Sequence, residues 1–144
     1  MPESRFVYVI YIRAAPERIW EALTTPEINR KFWGGYSQQS SWKVGEVFRI
    51  EGPDGKTWDE GEVLAFDPPR RLAVTWIHLT DAQMKAEGAS RMAFELEPQG
   101  GGATKLTVTH EIGVEGSKLI AAVSQGWPSL LSSLKSLIET GEPL

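Results

Sequence analysis

Residues 117–141, SKLIAAVSQGWPSLLSSLKSLIETG, decide the architecture. Leu119, Val123, Trp127, Leu130, Leu134 and Ile138 recur at steps of three or four, and Ile120, Leu131 and Leu137 widen the stripe. That spacing places apolar side chains along one side of an α-helix. It predicts a helix from about Ser117 to Glu139, stopped at Gly141, because glycine takes up the left-handed conformation that closes helices. At about 1.5 Å per residue such a helix spans roughly 35 Å, enough to cross a whole sheet. Gly126 and Pro128 interrupt the run. Proline cannot donate to the Ser124 carbonyl, so a kink is expected beside Trp127.

The period before this helix is two. Leu72, Val74, Trp76 and His78 alternate with polar or smaller residues, as do Met92, Phe94, Leu96 and Leu106, Val108, His110. Each set predicts a strand with one face turned inward. Turn chemistry separates the strands. Lys43-Val44-Gly45 and Gly52-Pro53-Asp54-Gly55 supply glycines for tight turns, and Asp67-Pro68-Pro69 stops a ladder that proline cannot extend. Pro98 to Gly102 joins the last two strands, and Thr80 with Gln83 has the spacing of a capping box for a short helix over 81–87, closed by Gly88.

Nearer the N-terminus, Phe6 to Ile12 is an unbroken apolar run, read as a strand shielded on both faces. Pro16 opens a short helix to about Thr24 carrying Ile19, Trp20 and Leu23 on one stripe. Thr25 as cap, Pro26 and Glu27 start a second, ended by Gly34-Gly35. The order is then strand, two short helices, six strands and a long helix, an α+β arrangement in which a curved antiparallel sheet of about seven strands surrounds one C-terminal helix.

With 144 residues, the chain reads as one domain over 1–144. It contains no cysteine, which excludes thiolate metal sites and thiol nucleophiles and fits a reducing cytoplasm. A formal net charge of -4 with scattered basic residues argues against nucleic acid as a partner. No apolar run approaches the roughly 18–20 residues of a membrane span, and Met1-Pro2-Glu3-Ser4-Arg5 does not open a signal peptide, so no membrane partner is expected and cytoplasmic residence is the default.

Five segments together resemble the START-like (SRPBCC) superfamily, nearest to the branch named after the activator of heat-shock-protein-90 ATPase. They are Ala15 to Glu27; Phe32-Trp33-Gly34; Gly61-Glu62-Val63 running to Asp67-Pro68-Pro69 and Arg71-Leu72; Thr104 to His110; and Gly126-Trp127 with Leu130-Leu131 and Leu134. The resemblance covers nearly the whole chain and implies a helix-grip fold with a cavity between sheet and helix. It further implies relatives that bind lipids, flavonoid-like or polyketide-like molecules, some that cyclise polyketides or sequester reactive compounds, and eukaryotic members that bind a chaperone. Fold likeness alone does not choose among these.

The six tryptophans are the most unusual feature. Trp20 reads as core. Trp33, Trp76 and Trp127 are candidates for a pocket wall, and core placement explains Trp76 and Trp127 equally well. The direction of Trp42 and Trp58 is open. An indole offers a large apolar face and one N–H donor, which suits a flat, partly polar ligand. The two histidines, His78 and His110, both face inward by alternation; each is either a hydrogen-bonded interior group or a polar anchor or acid–base group. Glu60, Glu62 and Glu111 read as solvated strand charges. No nucleophile elbow, phosphate loop or metal-ligand spacing is present, so neither cofactor nor metal is expected.

The expected ligand-binding set is Trp33, Phe48, Trp76, His78, Met92, Phe94, His110, Trp127 and Leu131, around a small hydrophobic or aromatic molecule and without catalysis. One alternative is a cyclase- or hydrolase-like enzyme using His110 or His78. Another, drawn from the resemblance, is a modulator of a chaperone ATPase. An exposed sheet edge also offers pairing to a second copy as a homodimer.

Overall fold

Ile19, Trp20, Ala22 and Leu23 bury one side of α1 (Pro16–Thr24), and α2 (Pro26–Phe32) follows after a single residue. These helices carry the chain from β1 (Ser4–Ile12), at one edge of a sheet, to β2 (Ser37–Ser40), at the other. The computed structural model describes residues 2–144; Met1, where the reading of the N-terminus starts, lies outside them. From β2 the chain meanders through β3 (Val47–Glu51), β4 (Thr57–Asp67) and β5 (Arg71–His78). A short α3 (Ala82–Ala86) precedes β6 (Ser90–Pro98) and β7 (Thr104–Ile112), and α4 (Lys118–Thr140) ends the fold. The seven strands form one sheet ordered β1-β7-β6-β5-β4-β3-β2, antiparallel at every pairing.

The anticipated alternation holds. Leu72, Val74, Met92, Phe94, Leu106 and Val108 are fully or almost fully buried beneath α4, together with Leu119, Leu131 and Leu134 of the helix. The first strand departs from expectation. Phe6, Tyr8 and Ile10 turn inward, but Val7, Val9 and Tyr11 are 47%, 42% and 52% exposed. Helices cover only the concave face of the sheet, so an apolar run on β1 is shielded on one side and wet on the other.

Two local caps also differ from the sequence reading. Thr25 makes no side-chain cap bond. The loop is held instead by buried Asn29, whose amide donates to the Ala22 and Leu23 carbonyls while its oxygen accepts from Gln38 N–H at 2.8 Å. In α3 the cap is Asp81, not Thr80, accepting from the Gln83 and Met84 N–H groups. The long helix is framed as expected. Ser117 accepts from Ile120 N–H, and Gly141 at φ 88° closes the C-terminus. Proline 128 lies within it, yet α4 continues through that position as a single element.

Curvature comes from irregularities in the register between Ile50 and Glu51 and between Val63 and Ala65, where an extra residue bends the strand. Gly61 sits in this bent part of β4, and a Cβ there would run into the Thr75 carbonyl. Gly61→Ala should therefore lower stability by about 1–3 kcal/mol, the usual range for a steric insertion into packed structure. Urea unfolding measures this; an unchanged midpoint would show that β4 and β5 can separate without loss.

Candidate functional site

Between α2, α4 and the β3–β5 part of the sheet lies a cleft of about 840 Å³. Four of the six tryptophans line it: Trp33 after α2, Trp58 on β4, Trp76 on β5 and Trp127 on α4. Their rings support one another. The Trp127 centroid lies 5.8 Å from Trp76 and 6.2 Å from Trp33, and Trp58 meets Tyr36 edge-on at 5.6 Å. Gly126 and Ser129 leave the α4 side open, since neither fills the space with a large side chain.

Of the expected pocket set, the structure brings Trp33, Trp76, His78 and Trp127 together on the cleft wall. Phe48, Met92, Phe94, His110 and Leu131 are buried and lie behind that wall. They have a definite task there. Phe48 packs on Trp76 at 5.6 Å, and Phe94 stands nearly perpendicular to Trp127 at 5.5 Å, so these rings fix the angles of the two indoles facing the cleft.

His110 is fully engaged. Trp127 Nε1–H donates to its Nδ1 at 3.2 Å, which leaves the proton on Nε2. That N–H reaches Ser90 Oγ at 2.8 Å, and the Ser90 hydroxyl donates onward to the Trp76 carbonyl. Burial holds the His110 imidazole down to about 3, far below its ordinary 6.5. Both nitrogens are spent on structure, which leaves His78 as the histidine on the cleft wall.

His78 gains the carboxylate partner that its sequence neighbourhood lacks. Asp59, directly opposite on β4, accepts from His78 Nδ1 at 2.7 Å and from Trp76 Nε1–H at 2.9 Å, both on Oδ1. Burial raises the Asp59 carboxyl above its ordinary value, while the hydrogen bond and charge of His78 and the bond from Trp76 pull it down. Since a carboxylate only accepts, His78 carries a proton on Nδ1, and in the neutral ring Nε2 then accepts from the Thr80 hydroxyl at 2.8 Å. Asp59, Trp58, Tyr36 and Ile50 line the cleft and were absent from the expected set. The signal for Asp59 was its inward parity with Gly61 and Val63 on β4. Among the described residues no cluster of three or more potential metal ligands occurs, and no helix is long and apolar enough to cross a membrane.

An antiparallel sheet gripping a C-terminal helix, with a cleft between them, defines a START-like helix-grip protein. The family described as "Activator of Hsp90 ATPase homolog 1-like protein" matches residues 13–139, and the chain belongs to that family. Solved structures agree in fold. Protein MLL2253 from Mesorhizobium loti is 25% identical with a TM-score of 0.79, covering 94% of this chain and 97% of that one. Aha1 from Colwellia psychrerythraea, solved as a dimer in solution, is 23% identical at a TM-score of 0.76, with 96% and 98% covered. CalU16 from Micromonospora echinospora is 21% identical at 0.75, with 95% and 77% covered. Among the curated proteins no sequence matches the chain.

The His110 arrangement predicts a specific acid sensitivity. The unfolded chain takes up a proton near 6.5, but the folded protein resists until about 3. Acid therefore favours the unfolded state between those values, and the stability is fully present above the upper one. The slope reaches about 1.4 kcal/mol per pH unit. His110→Gln, which keeps a donor and an acceptor, should flatten this dependence above the carboxylate range. Chemical denaturation as a function of pH checks it; parallel profiles for both proteins would contradict the assignment.

Proposed function

We propose that the protein is a single binding domain, acting in the cytoplasm, for a small, flat hydrophobic or aromatic molecule held in the cleft between sheet and α4. The observation that carries this reading is the lining itself. Trp33, Trp58, Trp76 and Trp127 face a space of about 840 Å³, a size within the range of small-molecule sites. Indoles already locked by Phe48, Phe94 and His110 lose little freedom when a ligand arrives, so ordering costs are low.

Gly126 gives the test its handle. A Cβ there meets nothing within 4 Å, so a side chain can start from this position on the cleft lining without a clash at its first carbon. A panel of aromatic and aliphatic compounds, read by tryptophan quenching and thermal shift, should yield binders in about the micromolar range. Ligand at about a hundred times its Kd should add about 2.7 kcal/mol to the unfolding free energy. Gly126→Phe should abolish that gain while leaving the fold intact. Gly126→Ala should retain binding and stabilise the helix by up to about 1 kcal/mol. A flat response across the panel, or equal binding by the Gly126→Phe variant, would overturn the reading.

A second reading, as a partner of a chaperone, is favoured by the family to which the chain belongs. It expects the purified protein to stimulate the ATPase of a heat-shock-protein-90 chaperone and to co-sediment with it. Unchanged turnover together with no co-sedimentation would remove it. The Aha1 dimer likewise suggests a homodimer, which the same sedimentation runs would detect.

A further inference from the structure

We propose that the Asp59–His78 pair is the polar anchor of the cleft and selects aromatic ligands that present a hydroxyl donor, phenols or enols rather than ethers or carboxylates. This rests on the cleft being a ligand site. Two donors reach Asp59 Oδ1, the Trp76 indole at 2.9 Å and His78 Nδ1 at 2.7 Å. Both N–H groups are thereby consumed, and neither is left for a ligand carbonyl. What the pair offers is the opposite, a lone pair on His78 Nε2. The neighbouring carboxylate holds the ring in that tautomer and makes the nitrogen a better acceptor.

In the free protein the partner of Nε2 is the hydroxyl of Thr80, an exposed side chain two residues along the chain. A threonine hydroxyl turns about one bond, so an arriving donor displaces it at small cost. The His78 ring lies 6.5 Å from that of Trp58. An aromatic ligand packed on the Trp58 indole thus brings its edge substituents to the imidazole. A hydroxyl there donates to Nε2. A methoxy group cannot, and a fatty-acid carboxylate meets the charge of Asp59 with no proton to share. Sites built around a ligand hydroxyl discriminate strongly against analogues that lack it.

Naphthol and methoxynaphthalene serve as matched probes, titrated into the full chain by tryptophan quenching and calorimetry. Naphthol should bind about tenfold more tightly. His78→Phe should bring the ratio of naphthol to methoxynaphthalene affinity down to about one. Asp59→Asn, which no longer dictates the imidazole tautomer, should shrink the ratio in the same way; damage to the cleft would instead lower both affinities together. Thr80→Val, at an exposed site that leaves folding undisturbed, should strengthen naphthol binding by removing its competitor. Equal affinities in the unmodified protein, or a preference that survives His78→Phe, would overturn the anchor alone. If neither probe binds, the ligand-site reading falls and the anchor falls with it.

Discussion

At the middle of α4, the Trp127 indole gives its N–H to His110 on β7 and sets its ring against Phe94 of β6 and Trp76 of β5. One side chain thereby touches three adjacent strands of the sheet. It sets the height and rotation of the helix in a way that apolar packing alone cannot, because hydrophobic contact is non-directional and a hydrogen bond is not. The bond requires a neutral imidazole with a free Nδ1. The Ser90 hydroxyl and the Trp76 carbonyl complete the circuit on the other side. A buried polar network of this kind is stabilising when every member is satisfied and costly when one is missing.

The same anchor accounts for the cleft. Residues on either side of Trp127 contribute little to helix stability by themselves. Glycine costs about 1 kcal/mol and proline about 3 kcal/mol in a helix interior, relative to alanine. The helix persists through Gly126 and Pro128 because Leu119, Trp127, Leu131, Leu134 and Ile138 are buried against the sheet, and tertiary packing outweighs propensity in such segments. With the helix held at Trp127, Gly126 lines the cleft without a side chain to narrow it. Trp33 can then approach Trp127 to 6.2 Å and close one end of the space.

Much of this was legible from residue order. Periods of two and of three to four located the strands and α4, and the glycine and proline punctuation located the turns, because these signals depend only on local geometry. Wall and backing could not be separated in this way. Alternation shows that Trp76, Phe94 and His110 point inward; whether an inward residue meets a ligand space or another side chain depends on where α4 settles. The exposed face of β1 was missed for a related reason. An apolar run is the same whether one face or both are covered, and only the packing of helices on a single face of the sheet decides between them. The Asn29 clasp likewise joins residues whose proximity arises only after α1 and α2 have folded.

The chemistry of the polar end turns on a single extra residue. Counted from the Asp67–Arg71 pair, an unbroken β4–β5 ladder would place Glu60 opposite His78. The bulge between Val63 and Ala65 shifts the register by one, so Asp59 turns inward and Glu60 outward into solvent. The exchange changes more than the identity of the carboxylate. Aspartate is one methylene shorter, which suits a carboxylate held between two donors on the adjacent strand. Gly61, which admits the Thr75 carbonyl at close range, occupies the same distorted stretch. The backbone irregularity that curves the sheet around α4 therefore also chooses the group that orients His78, and shape and acid–base character of the cleft follow from one feature of β4.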